Sequence, residues 1–371
     1  MNSLKVNLTS LQERAKERTV KTQSLEYDLE TLVKKIKKGV VKLDPDYQRR
    51  HRWSNETSSR LIESLILNIP IPTVYLSQDV DVDTETEESR YSVIDGQQRL
   101  TAVFKFLNDK FPLEGLETLP ELNGCYYKDL PPFLIRRLEE RTIKCLRIDS
   151  TLDTQIKIDI FERLNSGSVK LEPQELRNAV LGGPFNDLCK ELSKNEDFRK
   201  LLQIKLDDPD SNIRVQKMED VELVLRFFAL INGNYKTFKK TKEKGFKDFL
   251  SDVMDEYNKM KSEDHQQLIV DFSNTFKLIH EHFGNTAFAK YKNEKGKLIL
   301  QSRFNNAVYD ALSVGVHDAL TNFPKIKFDK KSATKFKDLF KIKDFYESVS
   351  GSYLDIAKLS YRIEKTIEVL S

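Results

Sequence analysis

The run Tyr91-Ser92-Val93-Ile94 leads straight into Asp95-Gly96-Gln97-Gln98-Arg99, after which Leu100, Val103, Phe104 and Leu107 resume helical spacing. The most polar turn of this half of the chain therefore joins a strand to a helix N-terminus. Gly96 lacks a Cβ, so the backbone can turn sharply and approach a ligand closely, while the first helical N–H groups point at whatever sits above the turn. Arg99 adds a planar cationic fork suited to a phosphate. Gln97 and Gln98 can position a water or a base, and Asp95 can hold Mg²⁺ directly or through water. The same five residues would also make an ordinary Asp-Gly surface turn.

A second cluster is Tyr47-Gln48-Arg49-Arg50-His51-Arg52-Trp53. Its arginines repel one another unless an anion lies between them or acids flank them, and Glu56 is the nearest acid that follows. Trp53, the sole tryptophan, is expected as a core anchor, with stacking on a base as the alternative. In the third, Phe161-Glu162-Arg163-Leu164-Asn165-Ser166-Gly167, Asn165 and Gly167 suit a left-handed helix cap. There is no Walker A segment, no G-x-G-x-x-G and no H-E-x-x-H. The five histidines form no HNH-like arrangement, so an autonomous nuclease is unsupported.

Several function classes are excluded by composition. The 371 residues carry 61 basic and 58 acidic side chains, a net +3 that rules out a histone-like polycation and an acidic tail protein. Charge is nevertheless segregated: residues 1–60 hold 14 basic and 8 acidic side chains, and residues 61–150 hold 10 and 16. Cys125, Cys145 and Cys189 have no C-x-x-C spacing and read as buried thiols in a reducing compartment. No apolar run approaches a membrane span and the N-terminus does not read as a signal peptide, so cytoplasmic residence without a membrane partner is the expectation.

The elements that must position these residues follow from periodicity. Leu25, Leu29, Leu32, Val33 and Ile36 predict a helix over 25–39, stopped by Gly39. Strands are predicted at 40–43, 72–76, 91–94 and 142–148, and a helix from a Ser54 cap to about Asn68. Six acids between Asp79 and Glu88 predict a solvated hairpin loop without the pattern of a Ca²⁺ loop. Beyond residue 150 the pattern is helical: 152–164, 173–181, 219–231, 246–260, 265–282, 303–319 and 353–370. The division is thus an α+β domain over 1–150 and a mostly helical domain over 151–371. Lysine-rich stretches run from Lys236 to Lys247 and from Lys325 to Lys343; the second holds eight lysines interleaved with Phe328, Phe336 and Phe340, with Phe323 just before it. It suits either a nucleic-acid face or a solvated helix face.

Taken together, Tyr47-Gln48-Arg49 with Trp53, Leu61-Ile62-Glu63-Ser64, Ile69-Pro70-Ile71-Pro72, Val93 through Thr101 and Phe161-x-x-x-Asn165-Ser166-Gly167 resemble the N-terminal domain family of GmrSD-type restriction endonucleases. The resemblance covers roughly residues 25–185 and implies a ParB/sulfiredoxin-like fold. It implies a domain that binds and hydrolyses a nucleoside triphosphate in prokaryotic restriction or anti-phage defence. Carried over, the D-G-Q-Q-R motif falls on Asp95 to Arg99, the Q-R pair on Gln48 and Arg49, and F-x-x-x-N on Phe161 and Asn165. Ser168 stands where a second glycine is common, and His51 where a tyrosine is frequent. On this reading Gln48, Arg49, Gly96 and Asn165 bind the nucleotide. Asp95 and Asn165 place Mg²⁺, and Asp95, Gln97, Gln98 and Arg99 carry the chemistry. The expectation is that the HNH module fused in relatives is absent here, so that any cleavage would need a separate nuclease subunit. The competing expectation is a DNA-binding module without nucleotide hydrolysis; the oligomeric state is left open.

Overall fold

A computed structural model describes residues 21–43, 53–82, 89–148 and 172–371, except 239–244, 324 and 352–354, together with 158, 160, 162 and 163. The chain divides into two compact units, Met1–Leu171 and Glu172–Ser371.

The first unit is α+β. Its elements are β1 (Thr22–Asp28), α1 (Leu29–Lys37), β2 (Val41–Lys42), α2 (Asn55–Ile66), β3 (Val74–Val82), β4 (Ser89–Asp95), α3 (Gln97–Leu107), α4 (Pro132–Glu139) and β5 (Thr142–Ile148). The five strands form one mixed sheet in the order β1-β5-β3-β4-β2. The central β3 runs parallel to β5 and antiparallel to β4, and β2 is parallel to β4. Leu32 of α1, Ile62 and Leu65 of α2 and Leu100 and Phe106 of α3 are all 0% exposed and share one core with Val74, Leu76 and Cys145 of the sheet.

The helix expected over 25–39 is a strand followed by a helix. Residues 22–28 pair antiparallel with β5, Leu25 opposite Cys145 and Tyr27 opposite Ile143. The Leu25/Leu29 spacing fits a helix, but ladder pairing with β5 overrides it. Asp28 then caps α1 by accepting the Thr31 N–H at 2.7 Å. The residues assigned to an acidic loop at 79–82 belong to β3; 83–88 lie outside the described residues. Ser54 does cap α2, accepting the Thr57 N–H at 3.1 Å. Buried Glu63 on α2 accepts the N–H groups of Thr118 and Leu119 at 2.9 and 2.8 Å, and Ser59 accepts that of Glu114. These bonds fasten the connection that leads to α4.

The second unit is mostly helical: α5 (Pro173–Val180), α6 (Pro184–Leu192), α7 (Glu196–Leu201), α8 (Ile213–Gln216), α9 (Glu219–Leu230), α10 (Phe246–Tyr257), α11 (Ser262–Phe283), the hairpin β6 (Lys290–Glu294) and β7 (Lys297–Ser302), α12 (Asn306–Asn322), α13 (Lys330–Asp338), α14 (Lys343–Ser348) and α15 (Ile356–Leu370). From Ala307 to Ala319 every residue of α12 is buried, as expected of a central helix. Its Gly315 lets α15 approach so closely that a Cβ there would lie 2.6 Å from Thr366 Cγ2. An aromatic cluster including Phe198, Phe227, Phe272, Phe276 and Tyr309 fills the centre. The helix expected over 152–164 falls largely outside the described residues. The hairpin was not anticipated, since its turn puts Lys295 at φ 51° before Gly296 at φ 84°, where Asn-Gly is the usual signal.

Cys145 and Cys189 are buried and Cys125 is half-buried, all as free thiols. Burial pushes the Cys145 thiol up to about 11 and that of Cys189 higher still. Among the described residues no helix is long and apolar enough to cross a membrane.

Candidate functional site

Strand β4 ends at Asp95, opposite Tyr75 on β3. Gly96 follows at φ 99°, and a Cβ there would sit 2.9 Å from Val74 Cγ2, so the turn has neither the dihedral nor the room for a side chain. Gly96 is the N-cap of α3: its carbonyl accepts the Leu100 N–H at 2.9 Å, and no side chain caps the helix. The positive end of an 11-residue helix thus opens at the edge of the sheet's central strands.

The side chains divide between inward and outward. Arg99 is 9% exposed; its Nη2 donates to Asp95 Oδ2 at 2.8 Å and its Nη1 to the carbonyl of Pro72 and, at 3.4 Å, that of Thr73. Its guanidinium is therefore directed at the turn's own carboxylate and at the entry to β3. The Pro72 and Thr73 carbonyls lie just ahead of β3. The Asp95 side chain is 32% exposed, with one oxygen on Arg99. Gln97 is buried, and Gln98 is half-buried, its Oε1 accepting the Trp53 N–H at 3.4 Å.

That last bond connects the turn to the end of the arginine-bearing segment. Trp53 is 36% exposed, which corrects its expected role as a core anchor. Hydrogen bonding of its backbone to Gln98 holds it at the mouth of the turn instead. Gln48, Arg49, Phe161 and Asn165 lie outside the described residues, so the structure brings together Asp95 through Arg99 and Trp53 only. Among the described residues no group of three His, Cys, Asp or Glu side chains could hold a metal ion. One partly exposed carboxylate is present, and Mg²⁺ held mainly by phosphate oxygens and water asks for one or two. Sequence reasoning passed over Thr101, one turn along α3, which is 5% exposed with an unpartnered Oγ1. Its only signal was its place four residues after Gln97, on the same helix face.

Residues 29–182 match the family model of the GmrSD restriction endonuclease, N-terminal domain. This segment is a GmrSD N-terminal domain. The match suggests a protein of a restriction or defence system. The GmrSD segment begins at the first residue of α1 and ends just after α5, so it omits β1, the strand that completes the sheet, and takes in the first helix of the second unit. The chain is also 33% identical over 101 residues to the uncharacterized protein MJ0686 of Methanocaldococcus jannaschii, a match covering 22% of this chain and 17% of that relative.

Proposed function

We propose that the GmrSD domain of this chain binds a nucleoside triphosphate at the turn 95–99 and hydrolyses it with Mg²⁺, in a ParB/sulfiredoxin-like fold. It would serve as the regulatory half of a restriction system whose cutting subunit is a separate nuclease. One observation carries the reading: Gly96, left-handed and with no room for a Cβ, opens a helix that no side chain caps, as a phosphate cradle requires.

Each residue then has a role. The amides after Gly96 meet the terminal phosphates, with Gln48 and Arg49 assigned to the same phosphates. Arg99 acts as a positioning residue, because its fork holds Asp95 and the entry to β3 in place. Asp95 and Asn165 would hold the Mg²⁺, which when bound would neutralise phosphate charge. Gln97 and Gln98 orient the water whose oxygen forms a bond to the γ-phosphorus as the bridging P–O bond to the β-phosphate breaks, yielding diphosphate nucleotide and inorganic phosphate. Stabilising the charge spread over the transferred phosphoryl group is the dominant contribution in such chemistry.

A thermal-shift panel of the four ribonucleoside triphosphates with and without Mg²⁺, followed by a phosphate-release assay, tests this. At least one nucleotide should raise the melting temperature, and Asp95→Asn should lower release by roughly 100-fold or more. Arg99→Ala should abolish release, with Arg99→Lys failing to restore it because a single ammonium nitrogen lacks the planar fork whose two Nη atoms reach the carbonyls and the carboxylate separately. If no nucleotide shifts the melt and none is hydrolysed, the reading is wrong.

A further inference from the structure

The weak net charge of the chain conceals a strongly basic face within the second unit. Residues 290–303 and 325–343 together carry 13 lysines and arginines against 3 acids, a local +10, so the remaining residues sum to −7. These two stretches adjoin. Tyr291 of β6 packs its ring against Phe340 at 5.6 Å and lies under Lys337 Nζ at 5.2 Å. Tyr346 donates to Gln301 at 2.9 Å, and Lys290 donates to Ser350 at 2.6 Å. The hairpin is thereby fastened to the segment spanning α13 and α14.

The phenylalanines interleaved with the lysines do not share this face. Phe328, Phe336 and Phe340 are 8%, 2% and 1% exposed and anchor the segment in the core, while Lys325, Lys327, Lys331, Lys335, Lys341 and Lys343 are exposed. All three acids are already engaged: Glu294 with Lys292, Asp338 with Lys341, and Asp329 with the N–H groups that open α13. By contrast Lys295, Lys297, Lys325, Lys327 and Lys335 are exposed and have no ion-pair partner among the described residues. Ile299 and Leu300 of β7 are each 47% exposed.

We infer that this face, built from the β6–β7 hairpin and the Lys325–Lys343 segment, docks the phosphodiester backbone of duplex DNA. Charge complementarity selects a polyanion: unpaired cations at this density are self-repelling until an anion lies across them. The choice of DNA among polyanions rests on the restriction-system reading proposed above. The contacts are to backbone phosphates and carry no sequence reading, so binding should be strongly salt-dependent and indifferent to sequence. The surface is independent of nucleotide chemistry at the turn 95–99.

The test uses the full chain and a fluorescently labelled DNA duplex of about 30 base pairs, with binding read by anisotropy between about 50 and about 200 mM salt. Expected are binding that weakens steeply with salt, and for the fivefold variant K295Q/K297Q/K325Q/K327Q/K335Q at least a 10-fold loss of affinity at the lower salt, with a shallower salt slope. These side chains are exposed, so the melting temperature and any nucleotide-induced shift should be unchanged in the variant. That control separates failure here from failure at the turn 95–99. Absence of salt-sensitive DNA binding would overturn the inference, as would an unaffected variant. Binding of polyglutamate or of duplex RNA as tight as that of DNA would overturn the assignment of the partner.

Discussion

Each unit of this protein contains arginines paired with acids, and the pairs are used differently. In the second unit the pairing is closed: Asp310, 0% exposed, accepts from Arg226 at 3.0 and 2.6 Å and from Arg362 at 2.8 Å. Arg177 is likewise spent on Gln174, Glu222, Ser251 and the Lys247 carbonyl, and burial pulls its guanidinium below the usual arginine range. The arginines and Asp310 are almost wholly buried, so their role is to tie α5, α9, α10, α12 and α15 together. In the first unit the Asp95–Arg99 pair has a buried cation and a partly exposed anion at an uncapped helix N-terminus. A buried ion pair is weak evidence of function. A half-buried pair whose carboxylate opens beside a helix N-terminus that no side chain caps is the better candidate.

That contrast can be broken by mutation. Asp310→Ala strands two buried guanidiniums and should cost about 3–5 kcal/mol in a urea melt, whereas Asp95→Asn, whose amide oxygen can still accept from Arg99, should cost under about 1 kcal/mol while losing activity. Equal losses of stability would erase the distinction between a structural and a functional pair. Gly315→Ala forces a Cβ toward Thr366 Cγ2 and should destabilise by about 1–3 kcal/mol. Adding Thr366→Ser, which removes that methyl, should recover part of the loss, and no recovery would show that the helices α12 and α15 relax apart instead. The smallest effect sharpens the comparison through thiols. With Cys145 pushed up to about 11 and Cys189 beyond it, neither forms appreciable thiolate at pH 8. Ellman's reagent should therefore titrate Cys125 alone in folded protein and all three thiols in urea.

The legible parts were those set by local chemistry. The strand at Thr142–Ile148, the Ser54 cap of α2 and the strand–turn–helix around Gly96 all follow from periodicity, a capping oxygen or a missing Cβ, and the structure has them in place. The strand β1 was not legible, because Leu25 and Leu29 satisfy a helical spacing and only pairing with β5, more than a hundred residues away, makes an extended chain better. The hairpin β6–β7 hid behind a lysine in a left-handed turn position. At the turn 95–99 the residue types were evident, but the direction of Arg99 was not. Its partners at Pro72 and Thr73 are carbonyls, which no residue type announces.

The sequence by itself determined that an Asp-Gly-Gln-Gln-Arg turn opens a helix, that the chain has an α+β part and a helical part, and that charge is unevenly distributed along it. Those properties rest on backbone dihedrals, side-chain period and composition, all local. Only the tertiary structure decided that Arg99 faces inward to Asp95, that Trp53 is exposed beside Gln98, and that Phe328, Phe336 and Phe340 of the lysine-rich segment are core while Lys325, Lys327 and Lys335 are surface. Each depends on which distant group occupies the neighbouring space, and burial and hydrogen-bond satisfaction are settled by packing between segments that the sequence keeps far apart.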